Sequence, residues 1–73
     1  MKYSTIGQRA HAEIERVFGN PKRASGVIYV AAQSMYPWKN GTSAPRADTL
    51  ALMHQAGCNV MWILIGGERN EHY

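Results

Sequence analysis

Residues 20–41 read NPKRASGVIYVAAQSMYPWKNG and hold the clearest structural signals in the chain. Asn20 followed by Pro21 predicts a helix start. Asn is a good capping residue, and Pro at the first helical position gives up only an N–H that has no partner there. A helix is therefore expected over Pro21–Ile28, the second of the chain.

The second half of the same segment predicts a third helix over Ala31–Lys39, ended by Asn40 and Gly41. Pro37 conflicts with this helix, because a proline cannot donate to the carbonyl one turn earlier. Two helices joined by so short a connection predict a helix-turn-helix unit.

Inside and outside positions alternate in this unit as two packed helices require. The inward positions are Ala24, Ser25, Ile28, Val30, Met35 and Trp38. The outward positions are Lys22, Arg23, Gln33, Tyr36 and Lys39.

The flanking sequence predicts three further helices. They are expected over Ile6–Phe18, from about Arg46 to Ala56, and over Val60–Ile65. Thr5 and Gln8 have the spacing of a capping box, and Asn59 is placed to cap the last helix. With no sustained alternation typical of strands, the fold class is all-α, with five short helices.

Length and composition limit the possible functions. Seventy-three residues, 45% of them apolar, suit one small globular domain. We expect residues 1–67 to form it and residues 68–73 to be a loose polar tail. No apolar run has the roughly 20 residues of a membrane span, and no signal peptide is recognisable. The single cysteine, Cys58, suits a reducing cytosol, so a cytoplasmic location is expected.

The distribution of charge favours a polyanionic partner. Eight Lys and Arg against five Asp and Glu give a formal charge of +3, and no acidic residue lies between Glu15 and Asp48. The cations of that interval are Arg16, Lys22, Arg23, Lys39 and Arg46. A one-signed segment flanked by acids is typical of a surface that meets phosphate, although a solvated basic face is the competing interpretation.

The sequence resembles the phage repressor and Cro group of DNA-binding domains, which have the lambda-repressor-like fold. The resemblance rests on residues 18–23, 31–41, 44–50 and 56–68, in that order, and includes the Trp-x-x-Gly of Trp38 and Gly41. Three positions depart from the family pattern. Tyr29 stands where the turn usually has Gly, Ala31 where a Ser or Thr cap is usual, and Pro37 where Asn or Gln is frequent.

The resemblance implies a sequence-specific repressor of phage or prophage type that binds a double-stranded DNA operator as a homodimer in the cytosol of a bacterial host. The positions it places toward the bases are Ala32, Gln33, Tyr36 and Pro37. Of these only Gln33 has an amide that can bond adenine at two atoms. The expected contacts to the DNA backbone are Asn20, Lys22, Arg23, Lys39, Asn40, Thr42, Ser43 and Arg46.

The last helix is expected to supply the homodimer contact through apolar residues in excess of what one core can bury. These are Val60, Met61, Ile63 and Ile65. The competing view is that they simply cover the core. Two other functions stay open: an antitoxin-like module of the same fold whose main partner is a toxin protein, and a helical protein-interaction adaptor. Both a complete Cro-sized protein and the N-terminal domain of a longer repressor fit the sequence.

No residue pattern predicts an enzyme, a cofactor, a metal site or a small-molecule substrate. His11, His54 and His72 share no metal-ligand spacing with Cys58. We expect His54 to be a packed neutral imidazole on the buried face of the fourth helix, and Cys58 to pack at a helix junction. Both tryptophans, Trp38 and Trp62, are expected in the core rather than as stacking platforms for single strands.

Overall fold

The computed structural model describes residues 5–67, and these residues fold into five α-helices and one short 3₁₀-helix with no strand. The elements are α1 (Ile6–Phe18), α2 (Pro21–Ile28), the 3₁₀-helix (Ala32–Met35), α3 (Tyr36–Asn40), α4 (Ala47–Gln55) and α5 (Val60–Ile65). The predicted all-α class is confirmed. The expected tail, residues 68–73, lies outside the described residues.

Helix α1 begins and ends as its sequence predicts. The Thr5 hydroxyl accepts from the Gln8 N–H at 3.1 Å, and the Gln8 side chain accepts from the Thr5 N–H at 3.3 Å. This reciprocal pair is the capping box. Gly19 ends the helix with a φ of 93°, a conformation that residues with a Cβ rarely adopt.

The prediction of one continuous α-helix over Ala31–Lys39 is wrong. The segment is divided into the 3₁₀-helix over Ala32–Met35 and a separate α3 that begins at Tyr36. The cause is Pro37, which has no N–H for the carbonyl of Gln33. The N–H of Tyr36 donates to that carbonyl instead, with the tighter spacing of a 3₁₀-helix. Pro37 then lies in the first turn of α3, where a proline is tolerated.

One apolar core joins all of the helices. Its members are Ala10, Ala12, Ile14, Ala24, Ile28, Met35, Trp38, Met53, Cys58, Trp62 and Ile63. Helix α1 is central, packing against α2, α3 and α5, while α4 closes the core against α2 and α5. Trp38 and Trp62 are each 4% exposed, so their predicted core positions are confirmed, and Cys58 is buried at the α4–α5 junction as expected.

Helix α1 approaches the end of α3 closely at Gly7, which is buried in the first turn of α1. A Cβ on Gly7 would lie inside van der Waals contact of the Ser43 carbonyl oxygen and 3.0 Å from the carbonyl oxygen of Trp38. Only a residue without a side chain allows this contact, which holds α3 and the following loop against α1.

A buried carboxylate fixes α1 to the start of α5. Glu13 is fully buried and accepts from Arg16 Nε at 2.9 Å, from Arg16 Nη2 at 2.8 Å and from the Asn59 N–H at 2.6 Å. The hydrogen bond to Glu13 raises the pKa of Arg16. Arg9 adds a second link, because its Nε donates to the Ile63 carbonyl at 2.8 Å. These charge-assisted bonds fix the position of α5 relative to α1.

His11 is a second buried polar side chain of α1. It is 7% exposed, and its Nδ1 lies 3.8 Å from a carboxylate oxygen of Glu15. Burial lowers the pKa of His11, and the ammonium of Lys39 on α3 lowers it further, while the Glu15 carboxylate acts in the opposite direction. The neutral imidazole is therefore the form that the folded protein favours near neutral pH.

None of the helices within residues 5–67 is both long enough and apolar enough to cross a bilayer.

Candidate nucleic-acid interface

Helix α2 presents two cations beside a capped N-terminus. The Oδ1 of Asn20 accepts from the Arg23 N–H at 2.9 Å, and Pro21 occupies the first turn, so the predicted start of the helix is confirmed. Ala24 and Ile28 face the core, which directs Lys22 and Arg23 to solvent. The positive end of the helix dipole and two exposed cations thus lie together.

The connection from α2 to the 3₁₀-helix contains a residue in an unusual conformation. Tyr29 ends α2 in the left-handed region, with φ 58° and ψ 39°, and its N–H donates to the Ser25 carbonyl at 3.1 Å. The connection therefore turns at a left-handed residue, and here a tyrosine adopts that conformation. Ala31 precedes the 3₁₀-helix without a side-chain cap.

Of the four residues expected to face the bases, two are exposed and two are half-buried. Gln33 is exposed and so is Tyr36, 63% of whose surface is accessible, while Met35 between them is buried. Ala32 and Pro37 are half-buried and offer less surface to a partner. The 3₁₀-helix and α3 thus present Gln33 and Tyr36 outward from a segment anchored by Met35 and, further on, by Trp38.

All of the residues expected to contact the DNA backbone are exposed. They differ in whether their donor groups already have a partner within the folded chain. The N–H of Thr42 donates to the Pro37 carbonyl at 3.0 Å, and the Thr42 hydroxyl donates to the same oxygen at 3.3 Å. Arg46 has an exposed carboxylate beside it, with its Nε 3.6 Å from an oxygen of Asp48. Among residues 5–67, the ammonium groups of Lys22 and Lys39 have no comparable hydrogen bond or ion pair.

The electrostatics of this face follow from the sequence. Residues 16–47 contain no Asp or Glu, and they include α2, the 3₁₀-helix and α3 in full. The cations Lys22, Arg23 and Lys39 are exposed on these elements. We call the exposed surface of residues 20–43 the basic face.

A second surface, an apolar groove of about 650 Å³, lies between α4 and α5. We call it the α4–α5 groove. Its lining residues are Ala47, Leu50, Ala51, His54, Cys58, Asn59, Val60, Met61 and Leu64. The lining has no Lys, Arg, Asp or Glu, so the groove is suited to an apolar partner surface.

The structure shows which of the residues expected at a dimer contact are accessible. Met61 is 55% exposed, Ile65 is 71% exposed and Val60 is half-buried, so these three are accessible at the surface. Ile63 was expected among them, but it is fully buried and belongs to the core. Leu64, which is not among the expected residues, is 44% exposed and lines the groove. Six consecutive apolar residues give no indication of which side faces inward, so the sequence held no signal for this distinction.

The expectation that His54 packs on the buried face of α4 is wrong. His54 is exposed at the rim of the α4–α5 groove, and Met53 is the fully buried residue of that turn. The buried residues of α4 are Thr49 and Met53, which lie four residues apart on one face, and His54 lies beyond the edge of that face.

The described residues contain no cluster of His, Cys, Asp or Glu that could hold a metal ion. Burial raises the pKa of the Cys58 thiol to about 11, and the Glu13 carboxylate adds to the shift. The thiol is therefore protonated at neutral pH, as expected of a packed cysteine rather than a nucleophile.

We compared the sequence and the structure with known proteins. No family model matches the sequence, and neither the curated proteins nor the solved structures gave a match.

Proposed function

We propose that this protein is a sequence-specific repressor of transcription, of phage or prophage type, that binds a double-stranded DNA operator as a homodimer in a bacterial cytosol. The observation that supports this most is the exposure of Gln33 and Tyr36 on a helical segment anchored by Met35 and Trp38. That segment lies in a stretch of chain with no acidic residue. A reader of base edges needs such a rigid, outward-facing segment with a positive surround.

The 3₁₀-helix and the start of α3 enter the major groove in this proposal. Gln33 then bonds the N6 and N7 atoms of an adenine with its amide, a pairing that discriminates by about 1–3 kcal/mol. Tyr36 contacts the sugar or a phosphate beside it. The segment has one side-chain amide that can bond to a base. Sequence-dependent DNA shape therefore supplies a larger share of specificity than in DNA-binding proteins that contact several bases through side chains.

The phosphates are held by the two ends of this unit. Lys22 and Arg23 act at the N-terminus of α2, where the dipole adds to their charge, and Lys39 acts at the end of α3. Each neutralised phosphate releases counterions, so the affinity falls as salt is raised.

The homodimer in this proposal forms through the α4–α5 groove, whose lining includes Met61 and Leu64, and through the exposed Ile65 at the end of α5. In this proposal the two basic faces of the dimer bind half-sites about 34 Å apart, one turn of DNA. The dimer is tested by sedimentation equilibrium. We expect the Ile65→Lys variant to be monomeric and the Gln55→Lys variant, altered on an exposed position of α4 outside the groove lining, to remain dimeric.

The DNA-binding proposal is tested by fluorescence anisotropy on two duplexes, one of random sequence and one from upstream of the gene, over a range of salt concentrations. We expect both to bind, the upstream duplex more tightly. Gln33→Ala should weaken binding to the upstream duplex more than to the random one. Lys22→Ala should weaken both alike and lower the salt slope by about one.

Two results would contradict the proposal. Equal losses on both duplexes for Gln33→Ala would remove the base-reading role, and failure of the wild-type chain to bind any duplex at low salt would remove the DNA-binding function. The α4–α5 groove favours a second candidate in that case, a module of the same fold whose main partner is a protein such as a toxin. A partner that co-purifies with the wild-type chain but not with Met61→Lys would support it.

A further inference from the structure

Tyr29 has a conformation that its own side chain disfavours. It is the one non-glycine residue among residues 5–67 with a positive φ, 58°. In this left-handed region the Cβ of an L-residue crowds the following carbonyl oxygen, so every residue type except Gly, and to a lesser degree Asn and Asp, is strained there.

Little of Tyr29 is packed against the rest of residues 5–67. The side chain is 81% exposed, so little core packing compensates for the strain. The one hydrogen bond through which Tyr29 ends α2 comes from its backbone N–H to the Ser25 carbonyl, at 3.1 Å, and a glycine would make it equally well. A strained residue that the fold does not require is a reason to look for a function.

The position of Tyr29 limits what its ring can meet. It lies four residues before Gln33 in the chain, so the two Cα atoms are at most about 14 Å apart. The major groove is about 12 Å wide between its two phosphate backbones. When Gln33 is at a base edge, Tyr29 is therefore within range of a backbone that borders the groove.

We propose that Tyr29 is a further DNA-contacting residue, whose ring lies against deoxyribose and whose hydroxyl donates to a phosphate oxygen at the edge of the groove that Gln33 enters. This inference rests on the proposed function. It is supported by the charge of the surroundings, because Tyr29 lies near the middle of the acid-free residues 16–47. Tyrosine hydroxyls are common donors to DNA phosphates, and such contacts are independent of sequence.

The test compares stability and DNA affinity in three variants. Tyr29→Gly relieves the strain and removes the contact, so its Tm should rise by about 4 °C while its affinity for a random-sequence duplex falls roughly fivefold. Tyr29→Phe keeps the strain and the ring, so its Tm should match that of the wild type. Its affinity should fall about threefold, because the hydrogen bond from the hydroxyl is lost. Gln55→Ala, an exposed change on α4, is the matched control and should alter neither.

The outcomes separate this inference from the proposed function. If the wild-type chain binds duplex DNA and Tyr29→Gly binds it as tightly, the contact does not exist, and the exposed ring is left to a protein partner. A lower Tm for Tyr29→Gly would also overturn the inference, because it would give the side chain a role in the fold. Failure of the wild-type chain to bind any duplex would refute the proposed function, and the role of Tyr29 with it.

Discussion

The same substitution, glycine to alanine, should have opposite effects at two helical positions of this protein. Gly7 and Gly26 both lie inside α-helices, in α1 and α2. A Cβ on Gly7 would be 3.0 Å from the Trp38 carbonyl oxygen, 3.1 Å from the Trp38 Cα and closer still to the Ser43 carbonyl oxygen. All three are backbone atoms, so no rotation of a side chain can relieve the contact. Within residues 5–67, a Cβ on Gly26 would meet no atom within 4 Å apart from its chain neighbours and the backbone of its own helix.

The expected magnitudes follow from these surroundings. Alanine favours a helix over glycine by about 1 kcal/mol, which is the whole effect at Gly26. At Gly7 the same gain is set against overpacking, which costs about 1–3 kcal/mol and more where the backbone must move. We expect a net loss of about 2 kcal/mol for Gly7→Ala. In a domain of this size that is a Tm lower by about 10 °C, against a rise of about 4 °C for Gly26→Ala.

Thermal unfolding followed by circular dichroism, together with urea titration, measures both changes. Equal or same-signed shifts for the two variants would refute the close approach of α1 to the end of α3. Gly7→Ser should behave like Gly7→Ala, because its Cβ meets the same backbone atoms.

Two further predictions concern buried polar groups. The lowered pKa of His11 means that the unfolded chain takes up a proton more readily, so the free energy of unfolding is highest above the ordinary pKa of about 6.5 and falls as pH drops toward the folded-state value. Urea midpoints at pH 7.5 and 5.5 should therefore differ less in His11→Gln than in the wild type, whereas Gln55→Ala, an exposed change on α4, should keep the wild-type difference. Glu13→Ala should lower the free energy of unfolding by about 2–3 kcal/mol, because it leaves the half-buried Asn59 N–H and the Arg16 guanidinium without their acceptor. Glu13→Gln should lose less, since its amide oxygen can still accept from the Asn59 N–H, and equal urea midpoints for these two variants would contradict this role of the acceptor.

The helix boundaries were predictable because they depend on neighbouring residues. The capping box of Thr5 and Gln8, the cap of Asn20 on α2 and the cap of Asn59 on the Trp62 N–H at 3.0 Å all span three residues of sequence. Interactions this local follow from residue type and spacing alone. Helix α4 begins at Ala47, one residue later than predicted. No side chain caps this helix, so its first residue has no local signal in the sequence.

The direction of side chains was predictable only where a helix mixes polar and apolar residues. The 13 residues of α1 have one apolar stripe, and its inward residues Ala10 and Ile14 are fully buried. The six residues of α5 are all apolar, so periodicity cannot separate the buried Ile63 from the exposed Ile65. That separation is set by long-range contacts, such as the bond from Arg9 to the Ile63 carbonyl, which join residues far apart in the sequence.

The sequence predicted which residues lie at the candidate interface. It did not predict which of them already have a partner within the folded chain. Charge counting treats Arg46 and Lys39 alike and adds Thr42 as a donor. In the folded chain Thr42 donates twice to the Pro37 carbonyl, because the chain turns back at the end of α3, and Arg46 shares its charge with Asp48. An exposed ion pair of this kind contributes little to stability, so Arg46 can exchange Asp48 for a phosphate at small cost. Thr42 would first have to give up its hydrogen bonds to the Pro37 carbonyl. The sequence-independent attraction to DNA that we propose therefore depends first on Lys22, Arg23 and Lys39, with Arg46 as a conditional addition.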